Sequence, residues 1–149
     1  MDKTAKNLQI QIITPSGVRH SCKADMLTAP AVMGTVGILP KHIPLFTKLK
    51  PGEIKIKTGG KDEYFAVAGG FMDVNANSRI TILTDSAQRS EEIDEKTAEK
   101  AKEEAEKLLE EREKLSEKEF AVAENSLRKA LLDLKVSRRR RKYHQTSTA

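Results

Sequence analysis

Residues 79–98 read RITILTDSAQRSEEIDEKTA. Through Thr84, Ile80 and Ile82 alternate with polar neighbours, the period of a strand with one buried face. Beyond Asp85 that alternation stops. Ala98, Ala101, Ala105, Leu108 and Arg112 then recur at steps of three and four, the spacing of a helix face. The chain changes structural class within this stretch, and we divide it into residues 1–87 and residues 88–149.

Upstream, the period is two. LQIQIIT (8–14) alternates, VRHSCKADML (18–27) is mixed, and GEIKIKT (52–58) sets Ile54 and Ile56 on one face against Lys55 and Lys57 on the other. EYFAVA (63–68), FMDVNA (71–76) and RITILT (79–84) complete the set. Pro51-Gly52, Gly59-Gly60, Gly69-Gly70 and Asn75-Ala76-Asn77 read as turns between them. Many short strands at this spacing predict an antiparallel all-β sandwich or flattened barrel. Within MGTVGILPKHIPLFTKLK (33–50), Pro40 and Pro44 bracket His42 in a loop-like stretch between apolar runs. Each proline locks its own φ, which suits a turn.

Downstream, residues 91–142 contain no Gly and no Pro. Asp94 is a candidate N-cap, and Ser116 with Glu119 makes an S-x-x-E capping box before the apolar series Phe120, Ala123, Leu127, Ala130, Leu131 and Leu134. The pattern predicts helices over about 94–114 and 117–142, joined by a short turn and therefore antiparallel. Residues 91–119 carry 13 acidic and 7 basic side chains, and residues 120–149 carry 2 acidic and 8 basic. The two helices thus attract one another. Their seam is rich in alanine, which buries little area at about 25 cal/mol per Å². Two readings stay open on these residues: a hairpin fixed on the sandwich, or an element with two packings.

Composition narrows the function. Of 149 residues, 38% are hydrophobic and 33% charged, which allows one modest core under a large solvated surface. With aromatics at 4%, stacking platforms for single-stranded nucleic acid are scarce. The single Cys22 closes no intrachain disulfide, and its polar, alternating context reads as a half-buried thiol. No phosphate loop, dinucleotide fingerprint, H-E-x-x-H or G-x-S-x-G elbow occurs, and His20, His42 and His144 lack metal-ligand spacing, so no catalytic or metal residue is assigned. The start, MDKTAKNLQIQIITP, carries no signal-peptide pattern, and no apolar run reaches the ~18 residues of a membrane span. SRRRRKYH (137–144) is the strongest charge run. It suits a helix C-terminus, or contact with nucleic acid, anionic lipid or an acidic protein.

The blocks VGILPKHIPLFTKLKPGEIKIK (36–57), YFAVAGGFMDV (64–74), ITILTDSAQRSEEID (80–94) and LRKALLDLKV (127–136) together resemble the epsilon subunit family of bacterial and chloroplast F-type ATP synthase, the counterpart of the mitochondrial delta subunit. The likeness spans roughly residues 8 to 142. It implies a sandwich of about ten strands, followed by a two-helix hairpin. It implies a rotor subunit without chemistry or cofactor of its own, coupling proton-driven rotation to ATP synthesis at the cytoplasmic face of the bacterial membrane. The sandwich would bind the gamma subunit and polar loops of the c-ring. The hairpin would inhibit ATP hydrolysis by reaching the alpha and beta subunits of the catalytic head. The alternative that the residues alone leave open is a small basic-tailed module for nucleic acid or an anionic surface.

Carried over residue by residue, the resemblance implies a gamma and c-ring surface at Met33, Gly34, Thr35, Val36 and His42. Thr35 stands where many members have an acidic residue, and Lys41 where glycine is frequent. It implies that Arg128, Lys129, Arg138, Arg139, Arg140, Arg141 and Lys142 oppose an acidic loop of beta. Some members bind ATP through I/L-D-x-x-R-A. Here Ile93, Asp94 and Ala98 match, but Thr97 replaces the arginine, and a planar donor fork for phosphate is lost. Weak or absent ATP binding is expected.

Overall fold

A computed structural model describes the backbone of residues 6–146 and the side chains of residues 6–139. The chain divides into two compact units after Arg89, two residues beyond the division made from the sequence, because Ala87–Arg89 still pairs with the sheet.

The first unit holds eight strands: β1 (Leu8–Thr14), β2 (Gly17–Ala24), β3 (Met26–Ala31), β4 (Gly34–Ile38), β5 (Leu45–Thr58), β6 (Lys61–Val74), β7 (Arg79–Leu83) and β8 (Ala87–Arg89). They run in the order β2-β1-β7-β6-β5-β3-β4, with β8 branching from β6. Alternation puts Ile10, Ile12, Ile54, Ile56, Phe65 and Ile82 inside, each at 0 or 1% exposure. Asp25 N–H donates to Lys57 O at 2.8 Å and Thr58 Oγ1 to Lys23 O at 3.3 Å, tying the end of β2 to the end of β5.

Among the described residues the strand count is eight rather than ten, because two turn signals do not end strands. Pairing of β5 with β6 keeps one register from Leu45↔Val74 to Thr58↔Lys61, straight past Pro51 and Gly69-Gly70. Those residues bend the pair instead of breaking it. The first half of β6 then carries β8 (Phe65↔Arg89) and the second half carries β7 (Phe71↔Leu83). Two 14-residue strands therefore serve both layers of the sandwich.

Two further expectations change. VRHSCKADML is two strands, since the chain turns at Asp25, whose Oδ2 accepts from Gly59 N–H at 2.8 Å. The loop-like stretch around His42 is residues 39–44; β3 and β4 form a hairpin before it (Ala31↔Gly34 to Leu27↔Ile38), turning at Val32 and Met33. Pro30 sits within β3 because the β3–β5 register shifts between Thr28 and Ala31, an irregularity that tolerates a missing donor. Finally, the sheet is not wholly antiparallel, because β1 pairs parallel to β7 (Ile10↔Ile80).

The second unit begins with a 3-10 turn, Ser90–Glu92, followed by α1 (Glu95–Glu110), a 3-10 turn at Arg112–Lys114, and α2 (Glu117–Thr146). The capping box is formed: Ser116 N–H donates to Glu119 Oε2 at 2.9 Å, and Glu119 N–H donates to Ser116 Oγ at 3.2 Å. Arg112 lies 4.5 Å from the Phe120 ring centroid and pins the turn. Ala98 and Ala105 are buried against α2, whose Ala123, Ala130 and Leu134 are also buried. Leu108 does not join them and is 47% exposed. Leu109 takes its place, half-buried, because eleven residues complete about three turns at 3.6 per turn and ten do not.

The bend in β6 supplies a test. A Cβ on Gly70 would lie 1.9 Å from Leu83 O, at a φ of +124°. Gly70→Ala is expected to destabilise the sandwich by about 3 kcal/mol or more, read by urea unfolding.

Candidate functional site

The candidate ring and stalk residues fall in two places. Met33, at the β3–β4 turn, is 96% exposed, Gly34 has φ +127°, and Thr35 is exposed on β4. Val36 is turned inward, partly packed against the core, so it offers less to a partner than its neighbours do. His42 lies beyond the other end of β4, a five-residue strand spanning roughly 15 Å. The five residues therefore do not form one patch.

The His42 loop is held from both sides. His42 N–H donates to Leu39 O at 3.1 Å, and the ring Nδ1 lies 2.6 Å from Ile43 O, to which it donates as Nδ1–H. Lys41 N–H donates to Ser78 Oγ at 2.7 Å, joining the loop to the β6–β7 turn. Lys41 has φ +68°, a left-handed conformation that costs an L side chain about 1 kcal/mol. This accounts physically for glycine being frequent there in the resembled family.

An apolar surface that pattern reading missed lies on the outer face of β5, β6 and β7. Phe46 is 69% exposed and stacks on Phe71, 45% exposed, with ring centroids 5.8 Å apart and planes 12° apart. Phe71 pairs across the ladder with Leu83, itself 49% exposed. Phe71 and Leu83 line a shallow groove with Ile13, Pro15 and Gly70. The signal was present in LFTKLK (45–50), where alternation assigns Phe46 to the same outward face as Lys48 and Lys50. An aromatic at a solvent position invites a partner.

In the hairpin, the basic residues are differently committed. Arg128 is exposed. Lys129 donates to Asp133 Oδ2 at 3.0 Å. Arg138 clamps α1: Nη2 donates to Glu99 Oε1 at 2.7 Å and Nε to Glu95 Oε1 at 3.4 Å. Arg139 is exposed. The side chains of Arg140, Arg141 and Lys142 lie outside the described residues.

The nucleotide-motif residues are occupied structurally. Ile93 and Ala98 are buried. Asp94 caps α1, accepting from Lys96 N–H at 3.0 Å and Thr97 N–H at 3.5 Å, and its Oδ2 accepts from the Thr97 hydroxyl at 3.0 Å. The Thr97 hydroxyl bond, then the backbone bonds from Thr97 and Lys96, hold the Asp94 carboxyl below the usual carboxylate range. Among the described residues, no group of three His, Cys, Asp or Glu could hold a metal ion, and no helix is long and apolar enough to cross a membrane.

Residues 7–90 match the family model described as the ATP synthase delta/epsilon chain beta-sandwich domain, and residues 91–138 match its long alpha-helix domain. The chain belongs to the ATP synthase delta/epsilon family. It is 45% identical over 134 residues to the ATP synthase epsilon chain of Herpetosiphon aurantiacus, covering 90% of this chain and 96% of that one. It is 48% identical over 130 residues to the epsilon chain of Chloroflexus aggregans, covering 87% and 91%. A chain in the structure of the Euglena gracilis mitochondrial ATP synthase OSCP/F1/c-ring superposes with a TM-score of 0.71 at 25% identity, covering 82% of this chain and 76% of that one. The delta/epsilon chain is a non-catalytic subunit of the synthase, and the family division near residue 90 falls where the β and α units divide.

The cap yields a pH test. A depressed carboxyl contributes stability that is present above its ordinary pKa and lost as the pH falls through the folded value. Thr97→Val is expected to raise the Asp94 pKa toward the ordinary range, so that the first turn of α1 frays at a higher pH. Carboxyl NMR titration of both proteins reads the shift.

Proposed function

We propose that this family chain serves as a rotor subunit in the central stalk of a bacterial F-type ATP synthase. There it links rotation of the c-ring to ATP synthesis, peripheral to the cytoplasmic face of the membrane. The observation that carries the reading is the Phe46–Phe71 stack beside Leu83. A sandwich of this size that leaves three large apolar side chains on one outer face calls for a protein partner, and the gamma subunit fills that role. The Euglena chain comes from an assembly of the mitochondrial synthase with its c-ring, which supports the same placement. The turn at Met33, Gly34 and Thr35 is the surface offered to the c-ring loops. His42 belongs to the gamma side, on the loop that runs into β5 and Phe46.

The hairpin is the inhibitory element. Its seam is built largely from Ala98, Ala105, Ala123 and Ala130, with Leu134 the larger buried side chain among them, so modest apolar area opposes its opening. Arg128 faces solvent and is available to an acidic loop of a beta subunit, and the exposed Arg139 adds its charge on the same helix. Arg138 becomes available once its bonds to Glu95 and Glu99 are released. Lys129 and the run through Lys142 add to the same charge.

Phe71→Glu is expected to weaken capture by purified gamma at least about tenfold while leaving thermal stability of the sandwich unchanged, since a buried charge at an interface core is costly. Unchanged capture would refute the assignment of this face. Truncation after Ser90 is expected to raise ATP hydrolysis by the assembled head several-fold, and equal rates with and without the hairpin would remove its inhibitory role.

A further inference from the structure

β2 ends the main path of the sheet, and β8 branches from β6. They are joined through side chains, with Arg19 Nε donating to Ala87 O at 3.1 Å. Beside that bond lies a half-buried polar cluster. His20 Nε2 on β2 is 3.3 Å from Glu63 Oε2 on β6, and Glu63 Oε1 accepts from Arg89 Nη2 on β8 at 2.8 Å. Both basic side chains also share one aromatic ring: the His20 ring lies 4.9 Å from the Phe65 centroid, and the Arg89 guanidinium 5.8 Å from it. His20 Nε2 is buried and makes no hydrogen bond, so its approach to Glu63 is close but out of line. One carboxylate thus stands between a permanent cation and a titratable ring.

We propose that His20 is a proton-operated latch on β8: a proton on the ring sets two cations against one carboxylate, and Arg89 withdraws from Glu63 and frees β8 from the sandwich edge. Arg89 is the partner that yields because β8 is three residues long, and its ladder among the described residues is the three pairs Phe65↔Arg89, Ala66↔Gln88 and Val67↔Ala87, supplemented by the Arg19–Ala87 bond. The groups facing His20 are Glu63 from β6, Arg89 from β8, and the Cys22 thiol from β2 itself, while β1 places apolar Ile12 opposite it. Burial pushes the Cys22 thiol up, so it stays neutral and adds no charge. Burial likewise holds the His20 ring below its ordinary value, with Glu63 opposing this and Arg89 adding to it. The unfolded chain therefore takes the proton more readily than the folded one. Stability from neutral His20 is complete above the ordinary histidine value and declines as the pH falls below it toward the folded value. The next residue after Arg89 is Ser90, so the latch acts on the strand from which the helical unit continues.

Hydrogen exchange of the full chain, corrected for the intrinsic effect of pH, tests the latch. Between about pH 7.5 and about pH 5.5, exchange of Ala87–Arg89 is expected to rise at least about fivefold while β7 stays unchanged. His20→Gln is expected to keep the slow exchange at both pH values, and Glu63→Gln to exchange fast at both. The proposal is overturned if wild-type β8 is pH-independent or tightens in acid, or if His20→Gln retains the wild-type rise. NMR titration of the His20 ring in the wild-type chain adds a readout independent of any variant. Its midpoint is expected to coincide with the exchange transition, and a midpoint away from it also overturns the latch.

Discussion

The close approach of Gly70 to the Leu83 carbonyl is the contact on which the sandwich depends. No side chain fits there, since a Cβ would sit far inside van der Waals contact distance of the oxygen. With Gly69, it lets β6 turn through a bend without losing its register to β5. That one bend sends the two halves of β6 to different neighbours, β8 on one side and β7 on the other. Phe65 and Met72 then both point into a single core. The outward Phe71 follows the same bend directly, so the geometry that closes the core also presents the apolar patch.

The second unit rests on different physics. Its helices meet through alanine, and the seam gains specificity from polar devices at its ends. Asp94 and Thr97 cap the start of α1, Arg112 and Phe120 fix the turn, and Arg138 reaches back to Glu95 and Glu99. Exposed ion pairs of this kind contribute little each, typically below about 1 kcal/mol. The sandwich is a packed core with polar edges, whereas the hairpin is a thin apolar seam between polar clamps.

The sequence announced much of this. Alternation at GEIKIKT, the S-x-x-E box and the acidic-then-basic helices each specify local structure by themselves. What pattern reading could not see depends on distant partners. Gly69-Gly70 looks like a turn until β5 continues opposite it. Pro30 argues against a strand until the register shift excuses its missing donor. Leu108 and Leu109 are separated only by where α2 lies. The candidate surfaces show the same limit: Met33 and His42 are nine residues apart in sequence, yet β4 holds them apart in space. The Phe46–Phe71 stack joins residues that only the β5–β6 register brings together.

The parallel pairing of β1 with β7 carries a kinetic consequence. Ile10 meets Ile80 across the ladder, so the first strand made waits for nearly the whole unit before it finds its inner neighbour. Contacts this far apart in sequence close slowly, because a long loop must lose its entropy before any pairing stabilises it. On a ribosome, β3 to β6 can assemble as local hairpins while β1 and β2 remain a detached pair. Closure comes only once Arg79–Leu83 has emerged, and by then the acidic start of the hairpin is the segment under synthesis. The order of the chain thus places a slow step of folding late in the first unit, just ahead of the helical one.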